Sequence, residues 1–99
     1  MKTTNVTTMN FEWDDAKAAS NESKHGVPFP YAARVFLDAR RVDGPDLRKD
    51  YGEERRIVVG AIDGRVFVVA YTRRGQATRL ISARKANERE QKQYYAISS

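Results

Sequence analysis

The segment RRIVVGAIDGRVFVVAYT, residues 55–72, constrains the fold more than any other part of the chain. Two runs rich in β-branched and aromatic residues flank Asp63-Gly64, the dipeptide that best suits a two-residue hairpin turn. With that turn the register is fixed. Ile62 faces Arg65, and the pairs Gly60/Phe67, Val58/Val69, Arg56/Tyr71 and Glu54/Arg73 follow on one sheet face. The other face carries Arg55, Ile57, Val59 and Ala61 with Val66, Val68, Ala70 and Thr72. Both faces are apolar near the turn and charged at the far end. A third run, TRLISARK at 78–85, follows Arg74-Gly75, so a three-strand antiparallel meander is expected. A two-residue Arg74-Gly75 turn sets Arg79 opposite Ala70; a three-residue loop through Gln76 sets it opposite Tyr71.

Helices are expected on both sides of the meander. In WDDAKAASNESKHG (13–26), Asp14 is a suitable N-cap, Ala dominates the middle, and Lys24, His25 and Gly26 form a stop pattern. YAARVF (31–36) reads as a short second helix or helix–strand transition, with Ala33, Phe36 and Leu37 on its buried side. ANEREQKQYYAI (86–97) reads as a C-terminal helix, with Ala86, Glu90 and Gln93 or Tyr94 at helical spacing. Residues 38–54 are rich in Gly, Pro and Asp, and are expected to form a loop with one edge strand around Arg40–Val42. The resulting class is α+β: a small antiparallel sheet with two N-terminal helices and one C-terminal helix. Residues 1–10 read as a polar tail and 11–99 as a single domain, since 99 residues are too few for two cores.

Composition removes several chemistries. The chain has no cysteine and one histidine, so thiol nucleophiles, thiolate metal sites and His-rich metal sites are excluded. No apolar run approaches the roughly 20 residues that span a bilayer, and the start lacks the apolar core of a secretion signal. A cytoplasmic protein without metal or other cofactor is expected. The net charge of +5 favours a polyanionic partner. Its distribution says more: residues 73–85 hold five basic residues and no acid.

The basic end of the sheet has two readings. Arginine forks bind phosphate oxygens in pairs and stabilise charge that builds on phosphorus. Alternatively the strand ends are solvated and their ion pairs contribute little. His25 divides in the same way. A cation at a helix C-terminus suits the macrodipole, and Gly26 suits the exit from the helix; capping physics alone is sufficient. Yet RNA cleavage needs a base for the 2′-hydroxyl, an acid for the leaving 5′-oxygen, and cations at the phosphate. Histidine is the residue type best suited to either proton role near neutral pH.

Taken together, FEWDDAKAASNESKHG, GEERRIVVG, DGRVFVVAYTRRG and RLISARKANEREQKQYY resemble the BrnT toxins of type II toxin–antitoxin systems. The resemblance runs from Phe11 to Tyr95 and rests on W-D-x-x-K-x-x-x-N-x-x-K-H-G combined with I-S-A-R-K-A. It implies a RelE-like fold and a ribonuclease that halts translation. It also implies neutralisation by a BrnA-type antitoxin with a ribbon-helix-helix DNA-binding part, the complex repressing its own promoter through operator DNA. Carried over by position, the family's polar signature falls on Lys24, His25, Glu54, Arg55, Arg79 and Arg84, with Tyr95 in the last helix. Arg56 departs from the aromatic or apolar residue usual there. The implied enzyme is a metal-independent endoribonuclease acting through 2′-hydroxyl attack. His25 would be the acid or base, and Lys24 or Glu54 its complement. Arg79 and Arg84 would sit at the phosphate, with Arg55, Arg73 and Arg74 along the RNA backbone. The rival expectation is a non-catalytic basic module that binds RNA or an acidic protein.

Overall fold

The computed structural model describes residues 2–6, 9–48, 50 and 52–98, with side chains of 2–6 and 98 left aside. Its centre is the expected meander: β4 (Arg56–Ile62), β5 (Arg65–Arg74) and β6 (Ala77–Lys85). The β4–β5 register follows the hairpin argument from Ile62↔Arg65 to Arg56↔Tyr71. Asp63 and Gly64 take φ of 52° and 81°, both left-handed, as a type I′ turn requires. The ladder ends at Arg56, so the expected Glu54/Arg73 pair lies outside it.

The β5–β6 register differs from both expectations. Gly75-Gln76 forms the turn, Arg74 pairs with Ala77, and Arg79 lies opposite Thr72. A bulge follows, because Tyr71 pairs with Leu80 whereas Ala70 pairs with Ser82. The extra residue, Ile81, shifts the strand so that both Leu80 and Ala83 reach the main core. Arg79 and Arg84 therefore share the opposite face.

Three further strands complete a six-stranded sheet in the order β1-β2-β6-β5-β4-β3. β1 (Lys2–Val6) and β2 (Met9–Trp13) form an antiparallel pair, and β2 runs parallel to β6 through Asn10↔Ala77, Phe11↔Thr78 and Glu12↔Arg79. This corrects two expectations. Within the expected polar tail, residues 2–6 and 9–10 belong to strands, and the sheet contains one parallel pair. The reason is an alternation in MNFEW: Phe11 and Trp13 are buried in the core while Asn10 is exposed. The edge strand of the long loop, β3, spans Val42–Pro45, slightly later than expected.

One face of the sheet is covered by α1 (Asp15–His25), α2 (Phe29–Ala32) and the 3-10 helix Ala33–Leu37. Here Phe11, Trp13, Phe29, Phe36, Tyr71 and Leu80 make the main core. Ala33 and Phe36 are buried as expected, but Leu37 is 50% exposed, since the 3-10 geometry turns it outward. The opposite face carries a smaller cluster of Val66, Val68, Ala86 and Tyr94, covered by α3 (Glu88–Ser98). Gly60 admits the 3-10 helix, because a Cβ there would lie 3.1 Å from the Val35 carbonyl oxygen. No helix among the described residues is long and apolar enough to cross a membrane.

Both sides of the meander are sealed by side chains rather than by full-length strands. Asp38 accepts the Ala61 amide at 2.8 Å, beyond the last β3–β4 pair. Asn21 does the same for β6 beyond the end of β2, accepting the Ala83 amide at 3.0 Å and donating to the Ala83 carbonyl at 2.9 Å. An unpaired strand edge is thereby closed without another strand.

Candidate active site

Helix α1 starts and stops where its sequence says. Asp14 accepts the Lys17 amide at 2.9 Å, Gly26 takes φ 71°, and its amide bonds to the Glu22 carbonyl at 2.8 Å. The Lys17 amide, with smaller help from the Lys17 and Arg79 charges, outweighs desolvation and holds the Asp14 carboxyl below its ordinary range. The helix face turned to β6 is unusual. Lys17, Ser20, Asn21, Lys24 and His25 fall at i, i+3, i+4, i+7 and i+8, the spacing at which a core-facing helix normally carries apolar residues. Asn21 is the helix's only buried residue. With Ile81 and Ser82 of β6, these five side chains line an open groove of about 210 Å³.

The sequence-predicted residues divide between this groove and the sheet. Lys24 and His25 lie together in the groove. Arg79 and Arg84 are on β6 either side of Ile81 and Ser82, but each is engaged. Arg79 pairs with Glu12 at 3.6 Å, both largely buried, and Arg84 grips Glu90 through two hydrogen bonds of 2.7 and 2.8 Å. Arg55 and Arg74 converge on Glu53 at 3.6 and 3.7 Å. Arg73 is exposed at the end of β5. Glu54 is exposed before β4, with its backbone carbonyl accepting the Thr72 hydroxyl at 2.6 Å. That places Glu54 two strands from β6, about 10 Å across the sheet. Arg56 binds Asp43 at 3.0 Å, and the same carboxylate accepts the buried Tyr71 hydroxyl. Burial and Asp43 together push the Tyr71 phenol above its ordinary range. Tyr95 is 52% exposed and stacks edge-on with Tyr94.

Cations without a carboxylate partner thus matter more than the total. Among the described residues no ion pair involves Lys17, Lys24 or His25, whereas most arginines of the sheet face an acid. Lys17 and Lys24 therefore give the groove-facing side of α1 a positive lining, although Asp14, Asp15 and Glu22 offset them along the helix as a whole. Lys17 and Asn21 stand in the W-D-x-x-K-x-x-x-N-x-x-K-H-G pattern but carry no expected site role, and Ser20 is outside it; their helical spacing beside Lys24 and His25 was the available signal.

Besides Asp14, two partly buried carboxylates add to the acid sensitivity of this frame. Hydrogen bonds from Arg84 outweigh burial and hold Glu90 below its ordinary range. At Asp38 burial acts to raise the pKa, but bonds from Tyr94, Ala61 and Arg40 prevail and lower it. Both groups therefore stabilise the fold fully above the unfolded carboxylate range near about pH 4. That contribution is lost as pH falls through their lower folded values. The urea midpoint is expected to drop steadily below about pH 4, and Glu90→Gln is expected to flatten this acid limb. An identical limb in the variant would place the titration elsewhere.

An α+β domain with Lys17, Lys24 and His25 lining an open groove is suited to receive a polyanion. Residues 13–90 match the family model described as ribonuclease toxin, BrnT, of type II toxin-antitoxin system. The chain belongs to that family, a class of ribonuclease toxins that implies RNA as substrate and an antitoxin as partner. A comparison with curated proteins gave no match.

Proposed function

We propose that the protein is a cytoplasmic, metal-independent endoribonuclease of RelE-like layout that cleaves RNA in the groove between α1 and β6 and so inhibits translation. The observation that carries this reading is that Lys24 and His25 line the same groove, with no ion pair to either among the described residues. In the reaction a base removes the 2′-hydroxyl proton and the 2′-oxygen attacks phosphorus. The bond from phosphorus to the 5′-oxygen breaks, and an acid protonates that oxygen, leaving a 2′,3′-cyclic phosphate and a 5′-hydroxyl. His25 serves one proton role. Lys24, in the same groove, is better placed for the other than Glu54, two strands away.

Arg79 adds charge at the β2 end of β6, where its pairing with Glu12 holds its guanidinium in place. Arg84 contributes to phosphate stabilisation if RNA displaces Glu90, and Arg55, Arg73 and Arg74 steer the backbone towards the groove. A BrnA-type antitoxin with a ribbon-helix-helix part neutralises the toxin, and the complex represses its promoter through the antitoxin's contact with operator DNA. Expression of the chain in a bacterial host is expected to arrest protein synthesis. The double variant Lys24→Ala/His25→Ala, at equal abundance, is expected to be tolerated. Equal arrest by both proteins would overturn the assignment of the groove.

A further inference from the structure

A second hollow begins where the helix stops. Gly26, next to His25, lines a cavity of about 340 Å³ together with Tyr31, Asp63, Arg65, Phe67 and Lys85. The wall between this cavity and the groove is fixed, because the Asn21 amide donates to both the Val27 carbonyl at 3.1 Å and the Ala83 carbonyl at 2.9 Å. Lys85 lies two residues beyond Ala83, paired with Phe67, and Arg65 is two residues before Phe67 on the same face. Such diagonal neighbours sit about 7–8 Å apart, so two long basic side chains can close on one anion between them.

The charges there are not balanced. Asp63, the carboxylate of the cavity, already accepts hydrogen bonds from Tyr31 at 3.1 Å and from Arg34 at 3.1 and 3.3 Å. Among the described residues no ion pair involves Arg65 or Lys85, and both are exposed. A second hollow of about 310 Å³, lined by Gly64, Arg65, Lys85, Ala86 and Gln91, opens on their other side. The two cations therefore stand on a rim reachable from either side.

Resting on the nuclease reading, we propose that Arg65 and Lys85 form a second phosphate subsite, which holds a backbone phosphate of the RNA flanking the one at His25. The substrate then runs from the α1–β6 groove past Gly26 to the end of the sheet. The subsite sets how much RNA beside the cleaved bond the enzyme uses, while the reacting phosphate stays with Lys24 and His25.

The test uses a short, fluorescently labelled single-stranded oligodeoxynucleotide, which has the phosphates but no 2′-hydroxyl to react. Binding to the full chain is measured across a salt series for the wild type and for Arg65→Gln/Lys85→Gln. The double variant is expected to bind about tenfold more weakly, with a salt slope smaller by about 0.7, the single-strand value for one phosphate. Arg40→Gln/Arg89→Gln removes the same net charge elsewhere and is expected to keep the wild-type slope. Equal slopes for wild type and Arg65→Gln/Lys85→Gln would overturn the subsite, as would an equal loss in the two double variants. Cleavage of RNA is read separately. A wild type that binds through these residues but cuts nothing refutes the nuclease and leaves the phosphate subsite standing.

Discussion

Asn21→Ala is expected to destabilise the fold by at least about 3 kcal/mol, because three backbone groups are each left unsatisfied at a cost of about 1–3 kcal/mol. The Asn21 amide donates to the Val27 and Ala83 carbonyls and accepts the Ala83 amide, all in buried surroundings. Alanine offers none of these bonds. The Ala83 amide and carbonyl lie beyond the last β2–β6 pair, so no strand is there to take them. A domain this small has about 5–15 kcal/mol in total, so the variant is expected to be partly unfolded at moderate temperature. Asn21→Asp tests the same point differently, since it keeps an acceptor for Ala83 N–H but faces two carbonyls with a charge. Urea denaturation measures both. A loss below about 1 kcal/mol for Asn21→Ala would mean that water replaces the amide, and that the clasp is not what joins α1 to β6.

His25→Ala is expected to lower RNA cleavage by about 10²–10⁴-fold, the usual contribution of a positioned acid or base. Stability should change little. The helix end is secured by Gly26 and its bond to Glu22, which do not use the imidazole. Even where a side chain favours the helix dipole in the last turn, its loss costs about 0.3–1 kcal/mol. Lys24→Ala and Glu54→Gln, measured in the same assay, decide the complementary role; the groove geometry expects the larger loss from Lys24. Loss of folding in His25→Ala would return the residue to a structural part.

The parts of the fold legible in the sequence were those set by local chemistry. Asp63-Gly64 with its alternating flanks specified β4 and β5 residue by residue, and Asp14 with Gly26 bounded α1. What escaped was set by distant partners. The polar residues near the N-terminus hid β1 and β2, because the apolar alternation at Met9, Phe11 and Trp13 is short. The β5–β6 register depended on a bulge at Ile81 that serves the core, and no local signal announces it. The start of α3 is secured by a capping box not expected from the sequence, in which Asn87 Oδ1 accepts the Glu90 amide at 2.8 Å and Glu90 accepts the Asn87 amide at 2.9 Å.

The candidate site was legible in the same uneven way. Lys24-His25-Gly26 stood out because a helix must end there and only one histidine exists. The arginines also stood out, but their acids did not. Glu12 comes from a strand that begins in the stretch expected to be a tail, and Glu53 rather than Glu54 joins Arg55 to Arg74, both acids lying outside the ladder that ends at Arg56. Ion pairing is a property of the assembled sheet. It engages Arg55, Arg74, Arg79 and Arg84 with acids, and leaves Lys24 in the groove and Arg65 and Lys85 at the rim without an ion pair among the described residues.

The most direct measurement is incubation of the purified chain with naked, end-labelled RNA in the presence of EDTA, followed by analysis of the new ends. Cleavage that EDTA does not diminish is expected, with 2′,3′-cyclic phosphate on one product and a 5′-hydroxyl on the other. Cleavage that requires a divalent ion, or products with a 3′-hydroxyl and a 5′-phosphate, would contradict the proposed reaction.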